Sequence, residues 1–212
     1  MTESTNRLSI KETTIRIIPV LTISFLLILA SIYLFHSQMT LGNIGMALAQ
    51  SVFAGLWEEF VFRFLILGLL LKHKGEEKHV LFIIISASLF GLVHIANFFS
   101  GKFELYITIM QIIGAFLGGI MFGFMYYHTR KYWYCVAVHI FFDIGSFLIS
   151  LGSGDLSVNG PFDMASEILI MFFPAIATAA LIVPSRKNAG IWIAFGCVYA
   201  AVITLLKIIA NR

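Results

Sequence analysis

The order of apolar and polar positions divides the 212-residue chain into long hydrophobic runs separated by short polar stretches. Runs of about 20 apolar residues are what a helix needs to cross a hydrocarbon core of about 30 Å. They fall at residues 17–35, 44–71, 80–99, 105–128, 134–151, 164–183 and 190–209. This pattern predicts an all-α fold, a polytopic transmembrane helical bundle of about seven spans, within a range of six to eight. The stretches at 72–79, 130–131, 152–161 and 185–188 are too short to divide domains, so residues 1–212 read as a single integral membrane domain. The second run would be about 42 Å long as a straight helix, and must tilt, break or project.

Composition agrees with lipid as the main solvent. The chain is 59% hydrophobic and 12% charged, against about 45–50% and about 25% in soluble proteins. A soluble globular domain, a disordered chain and a disulfide scaffold are thereby excluded. The net charge of +3 is spread over small clusters, which gives no footing for nucleic acid. Ten Lys and Arg residues (7, 11, 16, 72, 74, 78, 130, 131, 186 and 187) fall on one side of the predicted spans and three (102, 207 and 212) on the other. The positive-inside rule then places the N-terminus in the cytoplasm. The first run follows Arg7, Lys11 and Arg16 and is too long for a cleaved signal, so it reads as an anchor. Cys135 and Cys197 lie in different runs and read as buried thiols.

In lipid, an ionisable side chain at mid-span costs about 2.5–3.5 kcal/mol on insertion scales and marks a functional candidate. Glu58, Glu59 and Arg63 lie inside the second run, His94 inside the third, and His139 with Asp143 inside the fifth. Glu104, Glu167 and Lys207 lie at the ends of runs, where long side chains reach water. Glu59 and Arg63, four positions apart, fall about 40° apart on one helix face and predict an ion pair. Glu58 lies about 140° around the helix from Arg63 and is left for another role. His139 and Asp143 share a face by the same four-residue spacing.

Buried polar packing and a proton pathway each use residues of this kind, but their concentration on three runs favours the activation of water. A carboxylate in an apolar site is drawn toward the working range of a general base, while an imidazole holds the water or donates to an oxyanion. Serine or cysteine nucleophiles fit poorly, since no Gly-x-Ser-x-Gly elbow occurs. Two His and one Glu also make a catalytic zinc site with an open position, for which Glu58, His94 and His139 are the ligand candidates. The residues alone leave the two mechanisms open.

The ordered set Glu58-Glu59-Phe60-Val61-Phe62-Arg63, then Phe90 to His94, then His139 to Asp143, resembles the CPBP family. This is the family of type II CAAX prenyl endopeptidases and of bacteriocin-processing and self-immunity proteins, with motifs EExxxR, FxxxH and HxxxN or HxxxD. The resemblance implies a protease core over residues 44–151 and an intramembrane endopeptidase of a bacterial cell membrane. It also implies that Glu58 activates water with help from His94, while His139 and Asp143 stabilise the oxyanion or orient the substrate. Glu59, Arg63 and Phe90 support the site. The family was named for metalloproteases, and a metal-independent glutamate mechanism has also been argued for it. Asp143 stands where eukaryotic-type members carry Asn, and an ionised Asp cannot donate a hydrogen bond, which favours pairing with His139 or a metal. The implied partners are a peptide or protein substrate and membrane lipid. The alternative is a non-catalytic self-immunity protein that binds a peptide or toxin.

Three further expectations concern geometry. Counted along straight helices, His139 lies nearer the basic end than Glu58 and His94 do, so either the fifth run starts below the membrane surface or the long second helix extends well past it, the latter favoured because that helix has residues to spare. Gly114 and Gly118, then Gly119 and Gly123, form small-residue ridges suited to close packing inside the bundle. Gly152 to Asp155 imitates a presenilin-type motif and reads as a loop turn.

Overall fold

A computed structural model of the chain describes residues 7–153, 161–183 and 185–210. Among them the regular structure is helical throughout, with no strand. The elements are α1 (Ile10–Arg16), α2 (Ile18–Leu34), α3 (Leu41–Glu59), a π-helical segment (Phe60–Leu67), α4 (Gly68–Lys74), α5 (His79–Val93), α6 (Ala96–Phe99), α7 (Leu105–Thr129), α8 (Tyr132–Ser153), α9 (Pro161–Ile182) and α10 (Arg186–Ala210). Gly154 and Asp155 of the presenilin-like tetrapeptide lie outside the described residues, as does the side chain of Glu167.

Among the described residues four helices are long and apolar enough to cross a membrane, Glu76–Phe99, Leu105–Thr129, Tyr132–Ile149 and Arg186–Ala210. The pair α1 and α2, bent by 56°, makes a fifth if taken as one span. The expectation of about seven is thus met only to four or five. The run over 41–74 is diluted by Asn43, Gln50, Glu58, Glu59 and Arg63. Large side chains such as Phe53 (72% exposed) and Val198 (65%) face outward, where only lipid suits them. The protein is an integral membrane protein.

The basic stretches meet at one end of the bundle. Arg7 and Arg130 both pair with Glu76, the latter at 2.6 Å, and Arg186 pairs with Glu12 at 2.8 Å. Arg16 donates to the carbonyls of Ala180 and Val183, tying α1 to the end of α9. α1 itself opens on a capping box, in which the Ser9 hydroxyl accepts from the Glu12 backbone and Glu12 accepts from the Ser9 backbone. Tyr126 and Tyr127, just before Arg130 and Lys131, are buried, Tyr127 stacking on His79 at 4.2 Å and Tyr126 packing over Gly68. Lys207 is likewise buried rather than reaching water at a helix end.

The depth problem is solved by the long second helix. Tyr132, the first residue of α8, packs its ring 5.3 Å from Phe64. From that level the helix runs on to Lys74, about 15 Å further at 1.5 Å per residue. The third run, by contrast, does not continue as one regular α-helix. It turns at His94 before the short α6.

Close helix contacts are made at glycines. A Cβ at Gly119 would stand 2.9 Å from both Ala87 Cα and Ala87 Cβ, and one at Gly123 would stand 2.7 Å from Ile83, so this ridge of α7 seats α5. Gly114 faces Met171 of α9, whereas Gly118 has nothing within 4 Å. Gly55 brings α3 against α8, where a Cβ would meet Ile140 at 2.7 Å. Adjacent residues of α7 therefore respond differently to the same change. Gly119→Ala is expected to destabilise the detergent-solubilised protein by about 1–3 kcal/mol through overpacking, while Gly118→Ala leaves the melting temperature unchanged or higher. Equal melting behaviour of the two variants contradicts this helix register.

Candidate active site

The site begins with a change in helix type. α3 ends at Glu59 and the backbone widens into the π-helical segment, whose following residue Gly68 donates its N–H to the Arg63 carbonyl five residues back. π turns occur mostly as local insertions and often at functional sites. The widened segment is held from outside as well, since the Ser86 hydroxyl of α5 donates to the Phe62 carbonyl at 2.7 Å.

Within this segment Arg63 and Glu59 form the expected ion pair, Nε to Oε2 at 3.2 Å, with both side chains essentially inaccessible. A buried charge is tolerated only with partners. Arg63 has three besides Glu59. Its Nη2 donates to the Gly119 carbonyl at 3.4 Å, and its guanidinium lies over the rings of Phe90 and Phe122, 4.6 and 5.3 Å from their centroids.

Glu59 does more than neutralise Arg63. Its other oxygen, Oε1, accepts from Nδ1 of His139 at 2.9 Å. The opposite nitrogen of that ring, Nε2, lies 3.6 Å from Glu58 Oε2 and 3.4 Å from Asp143 Oδ2. Glu58 and Glu59, although adjacent in sequence, thus address opposite edges of one imidazole. Five of the predicted residues come together here, carrying three carboxylates, one guanidinium and one imidazole. Glu58 and Asp143 keep 24% and 20% of their side chains accessible, whereas Glu59 is fully buried, so the two former are the carboxylates a substrate can reach.

His94 stands slightly apart. Its Nδ1 faces the Phe90 carbonyl at 2.9 Å, and because a carbonyl only accepts, Nδ1 carries the proton and Nε2 is free to accept from water. Among the described residues no carboxylate lies within ion-pair distance of it. Phe90 joins the two histidines, with its ring edge-on to His94 at 5.4 Å and to His139 at 6.2 Å.

The zinc alternative requires Glu58, His94 and His139 to converge on one point. Among the described residues no group of three or more His, Cys, Asp or Glu side chains is placed to hold a metal ion. The donor set as arranged does not fit one.

Sequence reasoning missed Phe122. It is buried on α7, stacks on His139 at 4.8 Å between centroids with 20° between planes, and touches the Arg63 guanidinium. It is one of 21 phenylalanines, and its spacing carries no polar signature. The bond from Glu59 to His139 was also outside reach, because helical spacing relates residues of one helix only.

A family model described as type II CAAX prenyl endopeptidase Rce1-like matches residues 40–145. This is 106 of 212 residues, running from the start of α3 to just beyond Asp143 and including all three motifs. No match is found among curated proteins or among solved structures.

The pairing of Glu59 with Arg63 makes a stability prediction. Glu59→Gln and Arg63→Met singly should each cost about 3–5 kcal/mol, because each strands a buried charge, and the double variant should recover a large part of that loss. Thermal melts of the three purified variants read this directly. Strictly additive losses contradict the pairing.

Proposed function

Because the chain belongs to the type II CAAX prenyl endopeptidase Rce1-like family, we propose that it is an intramembrane endopeptidase whose Glu58 activates water to hydrolyse a peptide bond near the membrane. The observation that carries this reading is the meeting of Glu58 and Asp143 at one nitrogen of His139 while buried Glu59 holds the other. An accessible carboxylate is thereby placed beside an oriented imidazole, in surroundings that exclude bulk water. General acid–base chemistry needs such a pair.

In the proposed reaction Glu58 takes a proton from a water that His94 Nε2 helps to hold. The resulting hydroxide attacks the substrate carbonyl carbon, and the carbonyl π electrons move to oxygen. His139, donating from Nε2, stabilises that oxyanion. The separations of 3.6 and 3.4 Å at Nε2 exceed those of tight charged hydrogen bonds, so neither carboxylate saturates this nitrogen. As the C–N bond breaks, the proton held by Glu58 passes to the departing nitrogen. Asp143 supports this by pairing with His139, the role for which an acid in place of Asn is suited. The substrate is a peptide or protein segment presented at the lipid boundary. The basic end of the bundle, with the N-terminus, faces the cytoplasm in this reading.

Proteoliposomes containing the full chain, supplied with a library of lipidated and unlipidated peptides, test the assignment. Glu58→Gln should lower cleavage by about 10²–10⁴-fold while the melting temperature stays at the wild-type value. Cleavage by wild-type protein should survive exhaustive chelation. Full activity of Glu58→Gln, or a loss on chelation that added zinc restores, contradicts the mechanism.

A further inference from the structure

A hydrogen bond at Nδ1 fixes one edge of the His139 imidazole, and packing against the ring faces decides how tightly Nε2 is held between Glu58 and Asp143. Two aromatic side chains surround it, Phe122 stacked on the ring at 20° and Phe90 edge-on at 86°. Phe90 belongs to the FxxxH motif; Phe122 belongs to no motif and lies on α7, which contributes no ionisable residue to the site.

We infer that Phe122 is a positioning residue of the proposed peptidase, holding the plane of the His139 imidazole so that Nε2 remains between Glu58 and Asp143. Three observations converge on it. The stack on His139, at 4.8 Å between centroids, is the closest ring contact the imidazole makes among the described residues. The same side chain lies against the Arg63 guanidinium, so one ring borders both groups that share Glu59. The electron-rich ring face favours positive charge on either neighbour. Phe122 is itself well fixed. It is 3% exposed, and its carbonyl accepts from the thiol of Cys135, one turn before His139, at 3.7 Å. Gly119, one turn before Phe122, lets α7 approach α5 closely enough that a Cβ there would lie 3.2 Å from the Phe90 ring. The two aromatic walls are therefore set by one glycine contact. A small displacement of a catalytic group can cost about 10²-fold in rate, which makes the fixing of a ring plane a kinetic matter and not only one of packing.

This inference rests on the proposed peptidase reading for its kinetic part, and its spectroscopic part stands without it. The experiment compares Phe122→Tyr, which keeps the ring, with Phe122→Met and Phe122→Leu, which do not. Two non-aromatic variants are used so that misfolding of one leaves the other. Each is assayed in proteoliposomes below its own melting temperature, and each is prepared with ¹⁵N-labelled histidine, the His139 signals being assigned by their disappearance in His139→Gln. Expected are a fall in kcat of about tenfold for Met and Leu with KM within about twofold, and return of most of kcat in Tyr. The ¹⁵N pair of His139, which reports the Glu59 hydrogen bond, should move in Met and Leu by more than loss of a ring current allows and hold its position in Tyr. Equal behaviour of ring-bearing and ring-free variants, in kinetics or in spectrum, overturns the inference. If wild-type protein cleaves nothing, the peptidase reading fails, and the spectrum alone decides whether Phe122 positions His139.

Discussion

One buried carboxylate joins the stability of this protein to its chemistry. Glu59 gives one oxygen to Arg63 and the other to His139, in a place where the guanidinium could not remain without a partner. The energetic logic is that of any charge moved out of water. Desolvation costs several kcal/mol per ion and must be offset by close partners. Here the offset is shared among an ion pair, a carbonyl of α7 and two aromatic faces. A fold that must keep Glu59 and Arg63 together thereby keeps His139 in place as well.

The surrounding architecture serves this arrangement. The π-helical segment follows directly on Glu59 and contains Arg63, and Ser86 of α5 occupies a carbonyl of that widened turn. Glycines at positions 55, 119 and 123 bring α8 to α3 and α5 to α7. Between lipid-facing helices such contacts are made by shape, because apolar side chains gain little from leaving hydrocarbon for protein. The long second helix, running past the start of α8, supplies the offset that lets a residue seven positions into α8 meet the last residue of α3.

Much of this was legible in the sequence, for reasons that can be named. Apolar runs of spanning length placed the helices, because the bilayer imposes one length on every crossing. The scarcity of charge made Glu58, Glu59, Arg63, His94, His139 and Asp143 stand out, and four-residue spacing correctly paired Glu59 with Arg63 and His139 with Asp143. The same wheel separated Glu58 from Arg63. It could not show that Glu58 and Glu59 approach opposite nitrogens of one ring, since that depends on how α3 and α8 cross. Phe122 was invisible among the other phenylalanines, and the burial of Lys207, Tyr126 and Tyr127 depends on neighbours from other helices. Among the described residues four or five spans meet the test of length and composition, because charged and amide side chains dilute the run over 41–74.

The central claim is that a water activated by Glu58 attacks the substrate carbonyl directly. Single-turnover cleavage in ¹⁸O-enriched water, with the reconstituted protein and a cleaved member of the peptide library, tests it most directly. The account predicts one labelled oxygen in the new carboxyl terminus and none in the Glu58 side chain, as read by mass spectrometry of product and enzyme. Label in Glu58, which would mark an acyl intermediate on that carboxylate, or the absence of any labelled product from folded wild-type protein, would contradict it.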